Sequence, residues 1–219
     1  MPHLRNASAP FARFLAILAL ALCSFAVHAE PQAGKDYALV SPPVPTETGK
    51  KIEVLEVFWY GCPHCFDLEP ELAAWVKKLP KDVVFRRMPG VLPDSWLSLA
   101  KAYYAAEALD AVDKLHAGIF NAIHLGQINL NNEKILFDWV GKQGVDGKKF
   151  ADAYASFAVQ NKAMRAKQLS RAYGLSGVPA IVVEGKYLTS PAMAGGNSAL
   201  LAVTDELIKK ARQERAVKR

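Results

Sequence analysis

Apolar and polar positions repeat along this chain with two different periods, which mark strands and helices. Four short runs rich in β-branched and aromatic residues predict strands, at residues 52–60, 83–88, 180–184 and 187–189. Six stretches with apolar residues every three to four positions predict helices, at residues 63–79, 95–108, 112–124, 132–141, 148–173 and from 198 onward. A block of helices therefore separates two groups of strands, and this order predicts an α/β fold with a helical insertion.

Residue types at the ends of these segments support the division. Pro63 suits the first position of a helix, where its missing N–H costs nothing. Asp94 and Asn132 are candidates for helix N-caps, and Gly174 is placed to end the long helix. The Glu-Gly-Lys run at residues 184–186 predicts a tight turn between the last two strands.

The first 29 residues have the pattern of a secretory signal peptide. Two arginines precede a 12-residue apolar run at residues 14–25, and Val-His-Ala then places small residues where a signal peptidase cleaves. A spanning helix needs about 20 apolar residues, so a cleaved leader is favoured over a retained membrane anchor. Cleavage after Ala29 would leave 190 residues and would remove Cys23.

Composition and charge exclude several classes of protein. A hydrophobic content of 51% with 22% charged residues excludes a disordered chain. The formal charge of +6 falls to +4 without the two arginines of the leader, and residues 209–219 carry six bases and one acid. The remaining body, residues 30–208, therefore has a net charge of −1, and no nucleic-acid partner is expected.

Cys62 and Cys65 form a CPHC motif between the first predicted strand and the first helix. Such a pair can bind zinc, attach haem, form a structural disulfide or cycle as a redox pair. A structural zinc site needs four ligands and the mature chain offers no second cysteine pair, so no metal is expected. Haem attachment requires histidine where Phe66 stands, and a disulfide across two residues adds little stability. A redox pair is therefore favoured.

The position of the motif assigns different roles to its two sulfurs. Cys62 lies at a helix N-terminus, where free N–H groups favour a thiolate, and His64 adds positive charge or a hydrogen bond. Cys65 lies one turn further on and is expected to be more buried. Cys62 is therefore expected to be the attacked sulfur and Cys65 the resolving one. A stabilised thiolate favours the reduced form, which makes the disulfide an oxidant.

Glu56 is an unusual carboxylate in an apolar strand, six residues before the first cysteine. If this strand is central, burial raises the pKa of Glu56, which would then exchange a proton with Cys65. A strand-end carboxylate paired with Lys50 or Lys51 fits the sequence equally well. Glu53, in contrast, is expected to face solvent.

Together these features resemble the thioredoxin superfamily, and within it the DsbA family of periplasmic thiol:disulfide oxidases. The resemblance depends on the Pro-His dipeptide, the leader, the helical block and a Gly-Val-Pro sequence at residues 177–179. The sequence pattern alone does not show whether the Val178–Pro179 bond is cis or trans. It implies a thioredoxin fold with an inserted all-helical domain, in which residues 30–91 and 157–219 form the thioredoxin-like domain and residues 92–156 the insertion.

The resemblance also implies roles for individual residues. Cys62 and Cys65 would be the redox pair, and Pro63 and His64 would tune its potential. Val178 and Pro179 would form a substrate-binding loop with a cis proline that faces the cysteines.

Glu56 falls where the family often has a buried acid. Arg87 stands where some members have a lysine partner for that acid. A guanidinium there is expected to hold Glu56 ionised more firmly.

Further implications concern partners and location. The expected substrates are unfolded or reduced secreted proteins, and reoxidation would come from a DsbB-like, quinone-linked membrane oxidase. The protein is expected to be periplasmic and monomeric, with no cofactor beyond its redox-active disulfide. The alternatives are a disulfide isomerase or reductase of the same fold, and a non-catalytic holdase that binds unfolded proteins.

Overall fold

The computed structural model describes residues 30–217. The predicted signal peptide, residues 1–29, and Cys23 therefore lie outside the described residues. Within residues 30–217, no helix is both long enough and apolar enough to cross a membrane.

Five strands of the described chain form one mixed sheet with the order β1-β5-β4-β2-β3. The strands are β1 (Ala38–Leu39), β2 (Ile52–Phe58), β3 (Val83–Pro89), β4 (Ala180–Val183) and β5 (Tyr187–Thr189). Strand β2 pairs in parallel with β3 and antiparallel with β4, and all seven of its residues are buried. The nearly continuous apolar run therefore forms an inner strand of the sheet, because both of its faces are covered.

One helix follows β2, five consecutive helices lie between β3 and β4, and two follow β5 within residues 30–217. They are α1 (Pro63–Val76), α2 (Leu97–Ala108), α3 (Val112–His124), α4 (Glu133–Lys142), α5 (Gly147–Ala155), α6 (Phe157–Ala172), α7 (Pro191–Ala194) and α8 (Asn197–Val217). The predicted α/β fold with a helical block is confirmed. The exact division of the chain at residues 92 and 156 stays a prediction.

Two of the predicted helix boundaries differ from the structure. The single helix predicted at residues 148–173 is broken at Ser156, whose hydroxyl caps the next helix by accepting from the Val159 N–H at 3.3 Å. Asp94 lies in a short 3₁₀ turn and pairs with Lys167 instead of capping a helix. Asn132 does cap α4, since its side chain accepts from the Ile135 N–H at 3.1 Å.

The prediction that Glu53 faces solvent is wrong. The residue is only 2% exposed, because the helical block and the segment at Glu47 cover its face of the sheet. Arg86 Nη1 donates to the Glu53 carboxylate at 3.0 Å, and the backbone N–H of Glu47 donates to it at 3.1 Å. The charge of Glu53 is thus compensated inside the protein.

Glu56 lies on the opposite face of β2, together with Val54, because side chains alternate along a strand. Helix α1 covers this face with Leu68 and Leu72, which belong to the same apolar cluster as Val54. The register of β2 and β3 places Glu56 directly opposite Arg87. The fold thus brings a buried carboxylate close to the helix that carries both cysteines.

Candidate active site

The two cysteines lie where β2 turns into α1. After Phe58 the chain closes a tight turn in which the Cys62 N–H donates to the Trp59 carbonyl at 2.9 Å. Cys62 is the N-cap residue of α1, and Pro63 occupies the first position of the helix, as predicted. Both cysteines are free thiols in this structure. Both cysteines are buried, but Cys62 keeps 8% exposure whereas Cys65 has none, so Cys62 is the sulfur nearer to solvent.

The turn before Cys62 requires a glycine at position 61. A Cβ on Gly61 would come within 2.4 Å of the Trp59 ring. That ring cannot move away freely, because it stacks on Trp96 with a centroid distance of 4.3 Å and an angle of 4° between the planes. Close packing therefore determines the path of the chain into the first cysteine.

The environment of Cys62 stabilises its thiolate. Its pKa is lowered to about 6, first by a hydrogen bond from the Cys65 thiol and then by the backbone N–H groups of Cys65 and His64 and the positive charge of His64. Burial by itself would raise the pKa of Cys62, but the hydrogen bonds and the charge together lower it more. Burial raises the pKa of Cys65 far above that of an ordinary thiol, and the bond to Cys62 adds to the effect. The two sulfurs are therefore unequal, as the sequence predicts.

We expect a pH titration of the reduced protein, followed by thiolate ultraviolet absorbance, to show a single thiolate with a midpoint near 6. The reason is that the N–H groups at the start of α1 stabilise the Cys62 anion while Cys65 stays protonated. Cys62→Ser is the control and should remove the transition. A midpoint near 8.5, the value of an ordinary thiol, would contradict this expectation.

The loop at Val178 and Pro179 faces the cysteines. The Val178–Pro179 bond is cis, and the Cys62 Sγ lies 3.4 Å from the Val178 carbonyl oxygen, to which the thiol donates. Val178 is partly exposed and Pro179 is buried. Gly90 lies below this loop, since a Cβ there would come within 3.1 Å of the Val178 side chain. The fold thus joins two motifs that are 116 residues apart in the chain.

Glu56 is fully buried, and its partner is Arg87 rather than Lys50 or Lys51. The Arg87 Nε lies 2.9 Å from Glu56 Oε2. The N–H does not point along this line, so neither carboxylate oxygen has a hydrogen bond within residues 30–217. The pKa of Glu56 is raised to about 8, first by burial and then by the negative charge of Glu69.

Arg87 favours the ionised form of Glu56, as expected, but it does not determine the pKa of this carboxyl. The guanidinium does lower the pKa of Glu56, but burial and the charge of Glu69 outweigh it. Arg87 is also shared, because its Nη2 lies 3.3 Å from the Glu69 carboxylate. One cation between two carboxylates compensates each of them only in part, so the pKa of Glu56 stays raised.

Three residues at this site were not singled out by the sequence. Glu69 lies on α1, and its carboxylate contacts both Arg87 and His116, with the His116 Nε2 at 3.1 Å. The other ring nitrogen of His116 lies 2.9 Å from the Tyr60 hydroxyl. The spacing of Glu69 and His116 in the chain carries no signal for this contact, because they are 47 residues apart. The single usable hint is that Glu69 follows the CPHC motif on the same helix.

Comparison with known proteins relates this geometry to a family. The model of the DSBA-like thioredoxin domain matches residues 81–207. The thiol:disulfide interchange protein DsbA of Burkholderia cepacia is 39% identical over 203 residues, which are 91% of this chain and 96% of that relative. The chain belongs to the DsbA family.

The likeness to DsbA proteins extends over most of the chain. The thiol:disulfide interchange protein DsbA of Bordetella parapertussis is 41% identical over 208 residues, or 94% of this chain and 99% of the relative. The crystal structure of Pseudomonas aeruginosa DsbA superposes with a TM-score of 0.81 at 39% identity, over 86% of this chain and 97% of that one. The resemblance to the DsbA family and the thioredoxin fold with its helical block are thus confirmed.

Proposed function

We propose that the protein is a thiol:disulfide oxidase, which donates a Cys62–Cys65 disulfide to reduced secreted proteins through a mixed disulfide at Cys62. The observation that carries the proposal is the inequality of the two sulfurs. Cys62 is the more exposed cysteine and has a lowered pKa, whereas Cys65 is fully buried and has a raised pKa. The relatives named thiol:disulfide interchange protein DsbA support the same reaction class.

The first step follows from this geometry. A substrate thiolate attacks the Cys62 sulfur of the oxidised protein, a new S–S bond forms, and the Cys62–Cys65 bond breaks with its electron pair on Cys65. The departing sulfur takes up a proton, because the pKa of Cys65 is strongly raised. Glu56 is buried near α1 with a raised pKa and its ionised form acts on Cys65, so it is the group that would supply this proton.

The second step releases the substrate. Another substrate thiolate attacks the substrate sulfur of the mixed disulfide, and Cys62 leaves as a thiolate. The substrate has then lost two electrons and gained a disulfide, and the protein has gained the two electrons as a dithiol. Because Cys62 leaves as a stabilised anion, this step is favourable and the disulfide is a strong oxidant.

The loop that ends in Pro179 supplies a binding surface for the substrate backbone. The backbone of Val178 lies beside Cys62 and would pair with an extended substrate segment as an added strand. Such main-chain pairing depends little on the substrate sequence, which suits an enzyme with many clients.

The proposal includes the location and the partners. The leader at residues 1–29 would direct the protein to the periplasm, where it would act as a monomer. A DsbB-like, quinone-linked membrane oxidase would restore the disulfide. The redox-active disulfide would be its only redox group, with no other cofactor and no metal.

The equilibrium of the protein with reduced and oxidised glutathione tests the proposal against its alternatives. We expect glutathione to reduce the Cys62–Cys65 disulfide almost completely at a redox poise that leaves thioredoxin-type disulfides oxidised, because the Cys62 thiolate stabilises the reduced form. A potential near that of thioredoxin would instead indicate a reductase. A holdase would prevent aggregation equally well with both cysteines replaced by serine.

A further inference from the structure

Two histidines of α3 hold Tyr60 at its two ends. His116 Nδ1 lies 2.9 Å from the Tyr60 hydroxyl, and His124 Nε2 lies 2.8 Å from the Tyr60 backbone carbonyl. The histidines are eight residues apart, a spacing that keeps them on one side of the helix. Tyr60 is buried and precedes Cys62 by two residues. The helical block thus contacts the turn at residues 59–62, called the redox turn below, directly through hydrogen bonds.

The bond to His116 has a defined direction. Its Nε2 faces the Glu69 carboxylate at 3.1 Å, so this nitrogen carries the proton, and Nδ1 accepts from the Tyr60 hydroxyl. Burial lowers the pKa of His116 and raises the pKa of Tyr60, which keeps the imidazole neutral and the phenol protonated. The Tyr60 hydroxyl therefore remains the donor and His116 Nδ1 the acceptor over the physiological pH range.

His124 joins the two sides of the redox turn. Its Nε2–H donates to the carbonyl of Tyr60, before the cysteine, and its ring stacks on Phe66 in the first turn of α1, with centroids 5.0 Å apart and planes at 15°. The Phe66 N–H in turn donates to the Cys62 carbonyl at 3.1 Å. A single side chain therefore braces the strand side and the helix side of Cys62.

The position of the sulfur depends on this turn. The Cys62 thiolate is stabilised by the N–H groups of His64 and Cys65, and such bonds weaken steeply with misalignment. Tyr60 lies inside the turn that the Trp59 carbonyl and the Cys62 N–H close. Movement of Tyr60 would therefore move the sulfur relative to the start of α1.

We propose that His116 and His124 are positioning residues of the redox site, which hold Tyr60 so that Cys62 keeps its alignment with the helix N-terminus. The inference rests on the proposed oxidase function and adds that the helical block sets part of the oxidising strength. Neither histidine touches the reacting sulfurs: His116 acts through Tyr60, and His124 acts through Tyr60 and Phe66.

The test uses variants of the full mature chain, and its central variant is His124→Leu, which removes the N–H donor but retains an apolar side chain. We expect the thiolate midpoint of Cys62 to rise by about half a pH unit, a threefold change in ionisation. The glutathione equilibrium should shift by about the same factor toward the disulfide. His124→Gln, whose amide N–H reaches a similar position, should restore most of both values.

Tyr60→Phe removes only the bond to His116 and should shift both the thiolate midpoint and the glutathione equilibrium in the same direction by less.

A separate variant controls for a loss of stability. Val140→Ala creates a cavity in α4, in the same helical block, and should lower the unfolding temperature without moving the midpoint or the equilibrium. If His124→Leu does not fold, His124→Asn takes its place, because its shorter amide does not reach the Tyr60 carbonyl. Unchanged midpoints and equilibria in folded His124→Leu and Tyr60→Phe would overturn this inference while the parent protein still oxidised substrate. A parent protein that failed to oxidise would overturn the proposed function, and the inference with it.

Discussion

Cys62→Ser should lose substrate oxidation almost completely, by at least about a thousandfold in single-turnover rate. Cys62 is the more exposed cysteine of the pair, and a serine in its place can neither form a disulfide nor accept a substrate sulfur. The measurement mixes oxidised protein with a reduced, unfolded test protein and follows substrate thiols over time. The parent protein should oxidise the test protein stoichiometrically.

Cys65→Ser is the matched control for this experiment. It keeps the acidic Cys62 but lacks the resolving sulfur, so it should accumulate a stable mixed disulfide with oxidised glutathione, visible by mass. Cys62→Ser should form no such adduct, because Cys65 is fully buried. Adducts on Cys65 in the Cys62→Ser variant, or retained oxidation by it, would reverse the assignment of the two roles.

Glu56→Gln should stabilise the reduced protein at neutral pH by roughly 1–3 kcal/mol. In the folded protein the pKa of Glu56 is raised to about 8, whereas its ordinary value is 4.5. Between these values the folded state keeps a proton that the unfolded state releases. The stability of the parent protein therefore falls as pH rises from about 4.5 to about 8, and glutamine removes this contribution.

Urea unfolding of the reduced protein at several pH values measures this effect. The stability difference between Glu56→Gln and the parent should be near zero at about pH 4.5, grow with pH and level off above about 8. Parallel stability curves for the two proteins would refute a raised pKa for Glu56. If Glu56 also supplies the proton to Cys65, the variant should show slower opening of the disulfide at neutral pH.

Glu53→Gln provides a contrast on the same strand. Glu53 is also buried, but Arg86 donates to it directly at 3.0 Å, so its replacement breaks a compensated ion pair. We expect this variant to be destabilised, because it leaves a cation partly buried with less compensation. Opposite signs for the two substitutions would show that burial alone does not decide the effect.

Local sequence patterns were sufficient for most of the fold. The β-branched and aromatic run of β2 predicts a buried strand because apolar residues at nearly every position fit a strand covered on both faces. The helix predicted at residues 112–124 coincides with α3, since its apolar residues follow the helical period. The sequence pattern does not predict the break at Ser156, because the helical period of apolar residues continues across it. The Ser156 hydroxyl bonds the backbone of the next turn, and this local bond leaves the period unchanged.

The two carboxylates of β2 show where local patterns fail. Both stand in an apolar strand. The alternation of side chains along a strand indicates only that Glu53 and Glu56 lie on opposite faces and have different neighbours. Their partners, Arg86 and Arg87, are adjacent in β3 and reach opposite faces of the sheet through the register of the two strands. The register of the strands and the segments that cover the sheet belong to the tertiary structure. The burial of Glu53 and the raised pKa of Glu56 therefore followed only from the structure.

The sequence by itself determined which cysteine meets the free N–H groups of the helix, because CPHC at the start of a helix places Cys62 against them through local geometry alone. Only the tertiary structure decided what surrounds that pair. The Val178 carbonyl, the Arg87 guanidinium and the histidines of α3 come from distant parts of the chain. Such contacts depend on how strands pair and helices pack, and no spacing of residues along one segment specifies them.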